Sequence, residues 1–274
     1  MSTITSSVLP FSRRRVATVV VLVGLGIAAW FAAADRMTGM EMGGHFDAGS
    51  FGFFVVLWVL MMAAMMFPSV WPAVAIFGLV VRRRLPADAS ALGRSTVFVL
   101  GYLASWTAFG IVAFASLALA RNVGLDGLPD ADLSRFIVAP IALAAAAYQF
   151  VPFKQSCLRH CRGPLSFFLD HWRDGRAGAL AMGSRHGAYC VGCCWMLMVV
   201  LLAVGVMSIA WMAFVSLSIA IEKLAPPRFA RVASRSLTVG LVVLAVIALF
   251  QPAWLPGIDG MQGMDEMGGV AGIR

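Results

Sequence analysis

Three cysteines stand close together in one apolar stretch, in the sequence Cys190-Val-Gly-Cys193-Cys194. In a helix, residues i, i+3 and i+4 share one face, so the three thiols are predicted to lie side by side. His186 precedes this group by one turn and Met198 follows it by one turn. Thiolate, thioether and imidazole donors suit a soft metal ion, with Cu(I) first and zinc or an iron–sulfur cluster as competitors.

A second group repeats the spacing of the first, in the sequence Cys157-Leu-Arg-His160-Cys161. Neither group reads Cys-x-x-Cys-His, so haem attachment is excluded. Cysteine also packs as a small hydrophobic residue, but two matching groups favour a metal or redox role. We predict that both groups supply ligands, and the sequence leaves open whether they meet in space.

Methionines form one-turn pairs in an earlier apolar stretch, where Met61 precedes Met65 and Met62 precedes Met66. Met62, Met65 and Met66 are candidate ligands near the middle of the membrane. Methionine is equally at home as a flexible core residue, so packing and metal ligation both remain open for this stretch.

Two further methionine-rich segments lie outside the apolar stretches, among glycines and acidic residues. Thioethers survive as soft ligands in an oxidising compartment, whereas thiolates survive in a reducing cytosol. Methionine outside and cysteine inside is the division that a Cu(I) path across a membrane requires. The candidate residues for external metal capture are Met37, Met40, Met42, His45, Met261, Met264 and Met267.

The composition predicts an all-α, polytopic helical membrane protein in contact with a lipid bilayer. Hydrophobic residues make up 61% and charged residues only 12% of the 274 positions, whereas about 25% charged is usual in soluble domains. The net charge of +8 comes from basic runs between apolar stretches, which indicates membrane orientation and no nucleic-acid partner. We recognise no cleavable signal peptide, so the first apolar stretch is expected to stay in the bilayer.

Seven apolar stretches approach or exceed the roughly 17 to 25 residues that cross a bilayer. They are residues 16–34, 51–81, 95–120, 136–152, 187–206, 208–224 and 236–253. A cytoplasmic N-terminus then puts most of the 21 Lys and Arg residues in the cytoplasm and the C-terminus outside.

This topology divides the chain into a cytoplasmic tail, one membrane domain with a cytoplasmic Cys/His loop, and an external Met-rich tail. The corresponding ranges are 1–15, 16–253 with the loop at 153–186, and 254–274.

Three local features are also predicted. Pro68 should kink or break the second span. The amphipathic stretch from Leu165 to Trp172 should lie as a helix on the inner membrane surface, with Pro164 in its first turn. Glu222 ends the sixth span and is a candidate ionisable site, because charged groups within a span are functional hypotheses by default.

These motifs resemble the bacterial DUF2182 group, which is described as predicted metal-binding integral membrane proteins and sometimes labelled copper chaperones. The resemblance implies metal binding and a place in a bacterial inner membrane. The motifs that carry it cover most of residues 58 to 223: Trp58 with Met61-Met-Ala-Ala-Met65-Met-Phe-Pro68, Cys157-Leu-Arg-His160-Cys161-Arg-Gly-Pro164, Trp172, Gly187-Ala-Tyr-Cys190-Val-Gly-Cys193-Cys194-Trp-Met-Leu-Met198, Trp211-Met212 and Glu222-Lys223.

The leading hypothesis is therefore a multi-pass protein that binds Cu(I) for handling, delivery or transport. A periplasmic metallochaperone or a membrane complex would be its partner, and no ATP-driving motif is present. The enzyme hypothesis, ranked lower, is a thiol–disulfide oxidoreductase that uses Cys190 and Cys193. A third alternative is a membrane subunit whose Cys and Met residues only pack within a larger complex.

Overall fold

The computed structural model describes residues 20–21, 23–32, 50–84, 91–124, 134–204 and 209–250, and within them the chain is helical with no strand. The predicted all-α class is thus confirmed for this part of the chain. The helices are α1 (Val23–Ala32), α2 (Phe51–Arg84), α3 (Ala91–Asn122), α4 (Ala139–Tyr148), α5 (Pro152–Arg162), α6 (Pro164–Asp170), α7 (Gly175–Val204), α8 (Ile209–Leu224) and α9 (Pro227–Phe250), with a π-helical turn at Ser134–Val138.

Four helices, α2, α3, α7 and α9, are long and apolar enough to cross a membrane. A fifth span is formed if α4 and α5 count as one bent pair. The predicted first and sixth spans correspond to α1 and α8, which are shorter in the described chain. The structure therefore supports four to five spans, while seven spans and the orientation of the termini stay predictions.

The closest helix pair is α3 with α7, and glycines make its close approach possible. A Cβ at Gly101 would overlap the carbonyl oxygen of Leu180, and a Cβ at Gly183 would overlap that of Phe98. Small residues of this kind let two helix backbones approach each other inside a membrane. Ser105 Oγ donates to the Ser184 carbonyl at 2.7 Å across the same interface. This contact fixes α7, which carries the main cysteine group, against α3.

We expect Gly183→Ala to destabilise the protein by about 1 to 3 kcal/mol, because the added methyl must push two backbones apart. The free energy of unfolding, measured by SDS titration in mixed micelles, checks this. Gly52→Ala is the matched control, since a Cβ at Gly52 meets nothing within 4 Å. Equal stability of the two variants would contradict this account of the interface.

The predicted fourth span is not one straight helix. The segment that ends with α4 at Tyr148 and the helix α5 that begins at Pro152 are bent by 64°. Proline has no N–H to continue the helix and forces the preceding residue out of the helical region; Val151 is extended, with φ −66° and ψ 131°. The bend packs α5 against α7. The predicted cytoplasmic loop at 153–186 is thus largely helical, through α5, α6 and the start of α7.

The predicted surface helix is shorter than expected. It is α6, which starts at Pro164 and ends at Asp170, so Trp172 lies beyond it. Phe167 and Phe168 are buried, and the Phe168 ring lies 5.5 Å from the ring of Phe77 on α2. One face of α6 therefore packs on the helix bundle, while its Leu165 and Leu169 side chains are exposed.

The predicted break at Pro68 does not occur, because α2 continues through Pro68 and Pro72 to Arg84. Proline in a helix leaves the carbonyl four residues earlier without its partner. At this point Gly26 of α1 packs on α2, where a Cβ would lie 3.6 Å from Pro68 Cδ and 3.7 Å from the Ala64 carbonyl oxygen. Packing by α1 thus covers the weakened turn.

Candidate metal centre

The cysteine group of α7 forms one buried cluster, here called the Cys trio: Cys190, Cys193 and Cys194. Their Sγ atoms lie within 4.8 Å of one another, and all three side chains are buried. Cys193 and Cys194 Sγ donate to the Cys190 carbonyl oxygen at 3.1 Å and 2.9 Å. Sulfurs around one metal ion are about 3.8 Å apart for a metal–sulfur distance of about 2.3 Å. Small side-chain movements would therefore suffice to make the trio a set of ligands.

A fourth thiol reaches the trio from a different helix. The Cys161 side chain of α5 interacts with the side chains of Cys190 and Cys193. The bend at Pro152 makes this meeting possible, because it turns α5 onto α7. The structure thus joins the two cysteine groups of the sequence through Cys161, and the cluster offers four sulfurs.

His160, the neighbour of Cys161, is held by its surroundings. Its ring stacks on Tyr189 with centroids 4.2 Å apart and planes 3° apart, and its Nδ1 lies 2.9 Å from the Ser156 carbonyl oxygen. Nε2 is therefore the nitrogen left for a metal. The ring is half-buried, which puts it at the rim of the cluster.

Cys190 Sγ is the atom where most contacts converge. The hydroxyl oxygen of Tyr102, on α3, lies 3.0 Å from it. Lys223 Nζ, on α8, also lies 3.0 Å from it. Lys223 further contacts Ser69 Oγ at 3.4 Å and Met66 Sδ at 4.0 Å, both on α2. Groups from α3 and α8 therefore contact a single sulfur of α7, and α2 contacts the same lysine.

Glu222 does not face the cysteines. Its two carboxylate oxygens accept hydrogen bonds from Lys154 Nζ at 3.1 Å and 2.9 Å, and Lys154 also donates to Gln149 Oε1. Lys154 and Glu222 are both buried. Charges inside an apolar bundle persist only when paired, so this ion pair ties α5 to α8.

The His186 side chain, one helical turn before Cys190, is surrounded by three aromatic rings. Its ring centroid is 5.4 Å from that of Phe167, 6.0 Å from that of Phe98 and 6.2 Å from that of Tyr102. It is buried, and within the described structure its Nδ1 has no hydrogen-bond partner. A buried nitrogen without a hydrogen-bond partner is costly. His186 therefore remains a candidate ligand.

The remaining sequence candidates are placed around the cluster or lie outside the described residues. Met62, Met65, Met66 and Met198 are fully buried, and of these Met66 reaches the cluster through Lys223. The Cys157 side chain packs against Gly192, where a Cβ would lie 2.8 Å from Cys157 Sγ. The candidates outside the described residues are Met37, Met40, Met42, His45, Met261, Met264 and Met267.

Three residues at or near this centre were not predicted as site residues from the sequence: Lys223, Tyr102 and Lys154. None is near Cys190 along the chain, so no local motif connects them to it. The signal for the two lysines was a charged residue next to an apolar stretch, which is a functional hypothesis by default. For Tyr102, within a long apolar helix, the sequence carries no comparable signal.

The fold and the site define an all-helical protein, compatible with a membrane, whose buried thiol cluster fits metal binding. The chain belongs to the PpoB2 copper chaperone family, whose family model matches residues 55–248. That match covers both cysteine groups, all of α3 through α8, and nearly all of α2 and α9. Neither the curated proteins nor the solved structures gave a match to this chain.

Proposed function

We propose that this protein binds Cu(I) within a bacterial inner membrane and holds it for delivery or transport. The observation that carries the proposal is the buried Cys trio with the Cys161 side chain in contact with it. Three buried thiols of α7 and the half-buried Cys161 thiol of α5 form a compact sulfur environment, and soft sulfur donors select Cu(I). Membership of a copper chaperone family supports the same metal.

Zinc and iron–sulfur clusters also take thiolate ligands, so the neighbours of the sulfurs matter. The carboxylate next to Lys223 in the sequence, Glu222, is occupied by Lys154 rather than turned toward the trio. Cys190 Sγ is contacted by a phenol and an ammonium, and the ammonium in turn contacts a hydroxyl and a thioether. Four thiolates around Zn(II) would bury a charge of −2, whereas two thiolates around Cu(I) bury only −1 beside the one ammonium. This setting therefore favours a low-coordinate Cu(I) complex over tetrahedral Zn(II).

The ligand set that we propose has the Cys trio and Cys161 at its centre. His160, His186 and Met66 are proposed as additional donors. Met62, Met65 and Met198 are retained as predicted participants. Cys157 is proposed to border the centre without binding the ion, and the ionisable Glu222 is proposed to hold α5 in place through Lys154.

The path of the ion follows from the predicted topology. With seven spans and a cytoplasmic N-terminus, the methionine-rich segments at 37–45 and 261–267 would capture copper outside and the cysteines would hold it on the inner side. A periplasmic metallochaperone or membrane complex would supply or receive the ion. The resemblance to the DUF2182 group is part of this proposal.

A membrane thiol–disulfide oxidoreductase is the second candidate. One observation favours it: the Cys161 side chain on α5 interacts with the side chains of Cys190 and Cys193 of α7. Three adjacent thiols on two helices provide both an attacking and a resolving group for thiol–disulfide exchange. The methionine-rich segments have no role in that chemistry, so copper binding is preferred.

The test is the metal content of the full chain, purified anaerobically in detergent, loaded with Cu(I) and freed of excess metal. Plasma mass spectrometry should find near-stoichiometric copper in the parent and background copper in a variant with the Cys trio changed to serine. Equal copper in both proteins would contradict the proposal. A parent without copper that forms a disulfide between Cys190 and Cys193 or Cys161 in air would favour the oxidoreductase.

A further inference from the structure

Lys223 brings a positive charge into the middle of the sulfur cluster. Its side chain is buried at the cytoplasmic end predicted for α8, and its Nζ lies 3.0 Å from Cys190 Sγ. The two remaining contacts of the ammonium are Ser69 Oγ at 3.4 Å and Met66 Sδ at 4.0 Å. Its three N–H donors thus point to one thiol, one hydroxyl and one thioether.

No carboxylate compensates this charge among the described residues. Glu222 is adjacent in sequence, but its carboxylate is bound by Lys154 from the other side of α8. The groups that interact electrostatically with Lys223 include Tyr102, the Cys trio, Cys161 and His186, and none of them is a carboxylate. A buried ammonium is expensive unless an anion is paired with it, so the sulfur cluster has to supply the negative charge.

A Cu(I) complex supplies such a charge. Cu(I) bound by two thiolates carries a net charge of −1, which is costly to bury in an apolar bundle without a cation. The ammonium of Lys223 brings the sum to zero. We propose that Lys223 is the fixed counter-ion of the metal–thiolate complex and sets how tightly the centre holds Cu(I), an inference that rests on the proposed function.

This role differs from that of a ligand and from that of a packing residue. An ammonium has three donors and no lone pair, so Lys223 acts on the sulfurs and not on the metal. Its effect depends on charge, so a different side chain with the same charge preserves it, whereas a neutral side chain of similar size does not.

The experiment compares Cu(I) affinities of the full-length protein in detergent under anaerobic conditions, by competition with bathocuproine disulfonate. Lys223→Gln should bind at least about thirtyfold more weakly than the parent, because one partner of a buried charge pair is lost. Lys223→Leu, which needs no hydrogen-bond partner, should show the same loss. Lys223→Arg, which keeps the positive charge, should retain most of the Cu(I) affinity of the parent.

Arg231→Gln is the matched control for loss of a positive charge. Arg231 is exposed on α9, and among the contacts described its side chain bonds only the Pro227 carbonyl. The Cu(I) affinity of Arg231→Gln should therefore equal that of the parent. Parent-like affinity in Lys223→Gln and Lys223→Leu would overturn the inference. Lys223→Arg as weak as the neutral variants would also overturn it. Failure of the proposed function is separate, because then the parent itself would bind no Cu(I).

Discussion

The Cys190→Ser variant is expected to bind Cu(I) more than about 100-fold more weakly than the parent, which exceeds the loss typical for a residue beyond the ligands. Cys190 Sγ is the sulfur that Tyr102 and Lys223 both contact at 3.0 Å. Serine keeps the size and the hydrogen bonds but replaces a soft donor by a hard one. Affinity by chelator competition, together with the sulfur count from X-ray absorption, measures the loss.

Cys157→Ser is the matched control for Cys190→Ser, since it makes the same chemical change one helix away. The Cys157 side chain packs on Gly192 and is not a member of the Cys trio. We expect the variant to keep near-stoichiometric copper. Loss of copper in Cys157→Ser but not in Cys190→Ser would show that the ion lies between α5 and Gly192 and would contradict the assignment of the centre.

The thiol face of α7 could be predicted because it depends only on local geometry. Helical spacing alone puts Cys190, Cys193 and Cys194 side by side, and the structure shows their sulfurs together. That rule does not extend to the methionines of α2, because all residues from Met61 to Phe67 are buried. Apolar composition likewise predicted the long helices, because the number of consecutive apolar residues determines whether a helix can cross a bilayer.

The meeting of the two cysteine groups could not be predicted, because it depends on the path of the chain between helices. A proline at position 152 indicates a helix start and an extended residue before it, but no residue spacing predicts the 64° angle of the bend that carries Cys161 to α7. The same limit applies to Lys223. Lys223 is far from Cys190 in the sequence and contacts it only because α8 packs beside α7. No rule of residue spacing predicts that contact.

Glu222 and Lys223 are neighbours in the sequence, but they have different partners in the structure. Consecutive helical residues point about 100° apart, so they face different neighbours: Glu222 meets Lys154, and Lys223 meets Cys190. Two lysines and one carboxylate thus leave one positive charge for the sulfurs.

Glu222→Gln is expected to destabilise the protein by about 3 to 5 kcal/mol, because it leaves the Lys154 ammonium buried without its anion. SDS titration in mixed micelles measures the free energy of unfolding. The double variant Lys154→Met with Glu222→Leu should recover most of this loss, since replacing both charges by apolar groups removes the cost of burying them.

The double variant also separates stability from metal binding. Lys154 lies on the helix that carries Cys161, and Arg162 of the same helix donates to the Ala225 carbonyl beyond α8 at 2.8 Å. If apolar packing and Arg162 hold α5 in place, the double variant keeps both the parent stability and its Cu(I) affinity. A stable double variant with weak Cu(I) binding would instead mean that the ion pair itself positions Cys161. A double variant no more stable than Glu222→Gln would contradict the ion-pair account, because the cost would then lie in packing and not in an unpaired charge.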